Sequence, residues 1–406
     1  MLNFFYRIRI HINKQNLSFI ETKEMVPLFD FYAKCMLLVA VVSRVLLAAL
    51  AVMFSIRAET GSLVSPLVEV KFGDYEFYSW FIYDNFAALK KPFIFFYQGG
   101  SVDSWLAQHY APGPVFPWLL NILDYSKQPI VMASVYLIAS AFLIFGWVLY
   151  YRARGVSFWG QLALIAYPLL LWYSLAVSTE LPMSIALFIF FFGALATQRW
   201  PFLGLACAFT GFVLMLLIRP NALSLFPVML FVLFLNRKLI SNWSASAIVI
   251  LITLIVAYFC VYYASYFLMV KDSSVSLISY WGLFPPQYSE GLFPNLPQLL
   301  DKIISNVALI GSKLLYASGL RPSYSDPPIL MVLLRSISGI FIFPGIFYCL
   351  YRGSWLERAL LFGFMLPLLI TVAHERYLLP IAPLLLLYGG IFWKDLYQLV
   401  RKQLHS

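Results

Sequence analysis

Charge is what this chain most lacks. Of its 406 residues only 11% are Asp, Glu, Lys or Arg, against about 25% in soluble domains. A soluble core of this size needs a polar surface, and 28 Lys+Arg with 18 Asp+Glu cannot build one. The shortage excludes a soluble globular protein and, with 62% hydrophobic residues, leaves an integral membrane protein. Cysteine is scarce too: Cys35, Cys207, Cys260 and Cys349 fall in or beside apolar runs without paired spacing, which excludes a disulfide framework and a cysteine metal motif. No glycine-rich phosphate loop or GxGxxG fingerprint is present, so no soluble nucleotide-binding domain is expected. There is no internal repeat of the kind that marks an inverted-repeat transporter.

What is there follows a membrane pattern. The net charge of +10 comes from short basic clusters between apolar runs, where topology explains it and nucleic acid is not implied as a partner. A bilayer span takes about 20 mostly apolar residues. By that measure the chain reads as an all-α polytopic membrane protein with about ten transmembrane helices, within a range of nine to twelve. The candidate runs are 34–56, 130–151, 157–176, 181–197, 201–218, 221–236, 246–270, 329–351, 356–373 and 377–393. Residues 1–33 carry Arg7, Arg9, Lys14 and Lys23 without the apolar core or cleavage site of a secretory signal, and read as a basic cytoplasmic segment. Residues 394–406 read as a cytoplasmic tail. Asn242-Trp243-Ser244 matches a glycosylation acceptor but falls beside the basic, cytoplasmic connections, so it reads as a chance match.

Alternate connections are basic: the N-terminus, Arg152/Arg154, Arg199, Arg237/Lys238, Arg352/Arg358 and Lys394/Arg401/Lys402. Assigning these to the cytoplasm puts five other segments on the opposite face. They are a large first loop over 57–129, the turn around Glu180, Arg219-Pro220-Asn221, a second large loop over 271–328, and His374-Glu375-Arg376. Polar motifs far apart in sequence therefore meet on one membrane face, where ionisable groups mark function.

Each motif has a chemical reading beside a plainer one. Asp74 and Glu76 lie among aromatics in Gly73-Asp74-Tyr75-Glu76-Phe77-Tyr78. Partial desolvation there raises carboxylate basicity and suits a base for an acceptor hydroxyl; the plainer reading is a pair of solvated loop acids. A helix through the segment would put Asp74 and Tyr78 on one face. His109-Tyr110-Ala111-Pro112-Gly113-Pro114 turns the chain ahead of Val115–Leu123, which is too short to span and reads as a re-entrant or surface-lying segment; His109 alternatively packs at the interface. Glu180, just before Pro182, suits either substrate contact or the dipole-favoured first turn of a helix. Arg219, at membrane depth, calls for an anionic ligand such as a lipid phosphate, or for an internal carboxylate at a helix end. His374-Glu375-Arg376-Tyr377, followed by Pro380 and Pro383, describes a broken helix entrance with freed backbone groups. The aromatics of 271–328 suit sugar stacking and an interfacial belt equally.

Taken together, Asp74 and Tyr78 in the first outer loop, Pro112-Gly113-Pro114, Glu180 at the start of a span, Arg219-Pro220, and Glu375-Arg376-Tyr377-Leu378-Leu379-Pro380 with Pro383 resemble the GT-C superfamily. Within it the chain is most similar to the protein O-mannosyltransferase and lipid A aminoarabinose transferase type. The likeness covers most of the chain through short motifs in a fixed order. It departs in the separation of Asp74 from Glu76 by Tyr75 and in the absence of a large C-terminal outer domain. The resemblance implies a GT-C-like domain over 34–393 whose first outer loop contains short amphipathic or re-entrant helices. It further implies transfer of a sugar from a polyprenyl-phosphate-linked donor to a hydroxyl of a glycan, lipid or protein acceptor, with inversion. The expected setting is a bacterial inner membrane, with the site facing the periplasm and membrane lipids around it. Asp74 would be the base, with Glu76 as alternate or helper; Arg219 and Arg376 would hold the phosphate. The substrate-binding set is Tyr78, His109, Glu180, Arg219, His374, Glu375, Arg376 and Tyr377. No cofactor is implied, and although outer-face acids could hold a divalent cation, no ligand spacing declares one. The competing readings are a flippase or transporter for a lipid-linked sugar, a polysaccharide polymerase or ligase, and a non-enzymatic membrane scaffold.

Overall fold

The computed structural model describes residues 31–58, 129–167, 179–236, 247–259, 310–320, 329–370 and 377–404, together with Leu170, Leu171, Ser174 and Ile304. All regular structure among them is helical. In chain order the helices are α1 (Phe31–Ala58), α2 (Pro129–Ala153), α3 (Phe158–Ile165), α4 (Glu180–Ala196), α5 (Pro201–Ile218), α6 (Phe226–Asn236), α7 (Ala247–Phe259), α8 (Ile310–Ala317), α9 (Ile329–Arg352), α10 (Trp355–Ile370) and α11 (Ala382–Leu404). Short 3-10 turns over Pro220–Leu225 and Leu379–Ile381 lead into α6 and α11. Three stretches, Ser134–Ala153, Pro201–Ile218 and Leu379–Leu404, are long and apolar enough to cross a membrane; Glu180–Ala196, Asn221–Asn236, Ala247–Phe259 and Ser336–Arg352 are shorter apolar helices. The chain is thus a helical membrane protein.

Helices that are apolar all round must settle packing by shape, and glycine does that here. Gly204 and Gly211 of α5 and Gly193 of α4 lie where an added Cβ would run into the facing backbone at Thr197, Phe190 and Ala208. Gly345 of α9 and Gly389 of α11 likewise meet the backbone at Leu385 and Phe341. Aromatics fill a third contact, where Trp147 of α2 stacks on Phe191 of α4 with ring centroids 5.5 Å apart.

The expected span over 157–176 does not form as one helix. α3 starts on a Ser157 cap, whose Oγ accepts from Gly160 N, and stops at Ile165. Pro168 has no N–H to return to the Leu164 carbonyl, which accepts from Tyr167 N at 3.3 Å instead. Helical bonding resumes with Leu171 N to Tyr167 O at 3.0 Å. The next carbonyl, Ile165 O, accepts from Arg44 Nη1 at 2.9 Å. Arg44, buried halfway along α1, thereby caps the negative end of a half-helix inside the bundle and also donates to Ser43 Oγ at 2.9 Å.

Other boundaries shift less. α8 lies within the second large loop of 271–328. The last helix does not stop before the expected tail at 394: it continues through Leu404, with Asp395 bonded to Tyr348 and facing Arg352 at 3.4 Å. The proline-broken entrance to that helix is present as the 3-10 turn at Leu379–Ile381, followed by α-helix from Ala382.

Side-chain contacts sort several helix ends to two ends of the bundle. Arg154 faces Glu357 of α10, Arg358 donates to the Tyr351 carbonyl and Arg352 faces Asp395, so these arginines share one end, beside the exposed rings of Trp355 and Tyr351. Glu180, Arg219 and Tyr377 lie at the other.

Candidate functional site

At that second end a small, partly open cleft is lined by Glu180, Met183, Arg219, Asn221, Ser224, Leu225, Phe364, Pro367, Tyr377 and Pro380. Local sequence explains each wall. Arg219 precedes a proline, which disfavours helix and sets it extended at φ −149°, ψ 140°; α5 ends there and the chain turns into the 3-10 segment. Ser224 fixes that segment, its Oγ lying 2.6 Å from the Asn221 carbonyl and 2.7 Å from the Gly363 carbonyl of α10. Glu180 opens α4, where a carboxylate is favoured by the unsatisfied N–H groups and the dipole of the first turn.

Arg219 closes on the start of α4. Its Nη2 donates to Glu180 Oε1 at 2.5 Å and its Nε to Thr179 Oγ1 at 2.6 Å. Glu180 is buried at 1% side-chain exposure, whereas Arg219 keeps 13%. The pair is electrically neutral, sits at the polar edge of the cleft with Asn221, Ser224 and Tyr377, and faces an apolar wall of Met183, Leu225, Phe364, Pro367 and Pro380.

Glu180, Arg219 and Tyr377, which the sequence placed on one face, therefore share one cleft. The plainer readings of two of them also hold: Glu180 is at a helix start, and Arg219 ends a helix and pairs with a carboxylate. The other expected site residues, Asp74, Glu76, Tyr78, His109, His374, Glu375 and Arg376, lie outside the described residues, as does the Val115–Leu123 segment. Among the described residues, no group of three His, Cys, Asp or Glu side chains is placed to hold a metal ion.

A second polar cluster at the opposite end was missed by the sequence reading. Glu357 accepts from Tyr150 OH at 2.7 Å and Tyr388 OH at 2.7 Å, and lies 3.7 Å from Arg154, which itself donates to Tyr388 OH at 2.8 Å. Burial works against the Arg154 charge, but Tyr150, Glu357 and Tyr388 outweigh it and hold the guanidinium above its ordinary pKa. The local half was visible in Ser354-Trp355-Leu356-Glu357, a capping box: Ser354 N donates to Glu357 Oε2 at 2.6 Å and Glu357 N to Ser354 Oγ at 3.4 Å. The network ties α2, α10 and α11 together away from the cleft.

No family model matches the chain, and no curated protein or solved structure matches it.

Proposed function

We propose that the protein is a membrane glycosyltransferase of GT-C type, with about ten transmembrane helices, that moves a sugar from a polyprenyl-phosphate carrier to an acceptor hydroxyl of a glycan, lipid or protein. The observation that carries the reading is the amphiphilic cleft with Arg219 at its polar edge. An apolar wall suits isoprene units and a guanidinium fork suits phosphate oxygens. Because Arg219 is already paired with Glu180, net attraction for an anion requires a second cation, and Arg376, the neighbour of Tyr377 in sequence, is the candidate. The gathering of arginines at the opposite end supports a cytoplasmic assignment for that end and an extracytoplasmic one for the cleft.

A polyprenyl phosphate leaves readily, so the chemistry asks little of a general acid. It asks for cations that hold the departing phosphate and for a base at the acceptor oxygen. Asp74 takes the base role, with Glu76 as alternate, and the acceptor oxygen displaces the phosphate in one inverting step. The test is purified Asp74→Asn protein given a polyprenyl-phosphate sugar and an acceptor. Transfer should fall by a factor on the order of 10² to 10⁴, the usual contribution of a general base. Transfer at the normal rate would remove Asp74 from the chemistry. Movement of intact lipid-linked sugar across a vesicle without transfer would point to a flippase.

A further inference from the structure

The Arg219–Glu180 pair poses a problem for any anion that enters the cleft. The guanidinium meets Glu180 at 2.5 Å and Thr179 at 2.6 Å, and the carboxylate that neutralises it is buried. An incoming phosphate would meet the Arg219 cation with the Glu180 carboxylate close by, and like charges at short range repel strongly in a poorly solvated site. Resting on the reading of this cleft as a phosphate site, we propose that Glu180 is a placeholder: it occupies the position on Arg219 that a ligand phosphate oxygen takes, and ligand binding exchanges one anion for the other.

The surroundings allow the exchange. Glu180 is the first residue of α4, so the first-turn N–H groups and the helix dipole stabilise its charge after it leaves Arg219. Arg219 is the more exposed member of the pair and lines the cleft, so the ligand reaches the cation from the open side. The pair also spares Arg219 an uncompensated charge in an apolar bundle, which is costly. Glu180 then sets specificity: only a ligand whose anionic group outcompetes a buried carboxylate opens the pair, and neutral isoprenoids do not.

The experiment measures binding of farnesyl phosphate, with farnesol and inorganic phosphate as controls, to the full chain in detergent. It compares wild type, Glu180→Gln, Glu180→Asp, Arg219→Gln and the Glu180→Gln/Arg219→Gln double variant. Removing the competing charge should tighten farnesyl phosphate by about tenfold in Glu180→Gln while leaving farnesol unchanged, since only the electrostatic part of affinity is altered. Arg219→Gln should lose the phosphate preference, and the double variant should not regain it. Inorganic phosphate should follow the same order more weakly; if it matches farnesyl phosphate, the ligand is a free anion and the lipid chain contributes nothing. If Glu180→Gln does not fold, Glu180→Asp, which withdraws the charge by one methylene, should show a smaller tightening. Unchanged or weaker binding in the folded variants overturns the exchange, as does equal tightening of farnesol, which would mean a wider cleft. Sugar transfer is scored separately: exchange without transfer removes the transferase reading alone, and transfer without exchange removes the placeholder alone.

Discussion

Two buried glutamates show how the same residue does different work. Glu357 has both oxygens engaged by Tyr150, Tyr388 and its own helix cap, with Arg154 alongside. Glu180 pairs with an arginine that lines a cleft. Removing the Glu357 charge leaves the half-buried Arg154 without this carboxylate, so Glu357→Gln should lower stability by about 1 to 3 kcal/mol, read as a fall in thermal midpoint in detergent, with farnesyl phosphate affinity unchanged. The sequence reading reached Glu180 and Arg219 because a charge inside an apolar run demands a partner, and their neighbours Pro182 and Pro220 marked helix ends. It left their mutual pairing open, because they are 39 residues apart. It missed the Glu357 network for the same physical reason: Tyr150 and Glu357 are 207 residues apart, and only the local capping box was readable.

At the level of elements, most helices follow from apolar runs and end where proline, glycine or charge interrupts them. The failure over 157–176 is instructive. Apolarity continued through the segment, but Pro168 removed one backbone donor, and the half-helix that resulted needed a cap that sequence proximity could not reveal, since Arg44 lies on another helix. Arg44→Met should take the side-chain donor from the Ile165 carbonyl, costing about 1 to 3 kcal/mol; Arg44→Lys, which keeps a donor and the charge, should recover part of it. The thermal midpoints of the two variants give the comparison. The glycine seams make a second prediction. Gly389→Leu cannot be accommodated against Phe341 without separating α9 from α11, so the variant should unfold at a lower temperature than a matched substitution at Gly390, whose added Cβ meets nothing within 4 Å. Equal effects at the two glycines would show that close backbone approach is not what joins these helices.

The whole molecule is polarised along its helices. Arg154, Arg352 and Arg358 lie at one end with the Glu357 network, and the Arg219 cleft lies toward the other. α10 links the two, with Glu357 in its first turn and Phe364 and Pro367 in the cleft wall, a separation of roughly 10 Å from Glu357 to Phe364 along the helix axis. Of the basic connections read from the sequence, those at Arg154 and at Arg352/Arg358 lie together, while the N-terminal one and Arg237/Lys238 lie outside the described residues. The catalytic proposal rests on short motifs alone, because Asp74, Glu76 and Arg376 lie outside the described residues. The measurement that bears most directly on the central claim is mass analysis of product after the purified chain, in lipid vesicles, is given polyprenyl-phosphate sugars and candidate acceptors. The account predicts acceptor heavier by one sugar, with the anomeric centre inverted and the product absent for Asp74→Asn. Product carrying a preassembled or extended glycan chain, or the same product from wild type and Asp74→Asn at equal rates, would contradict it.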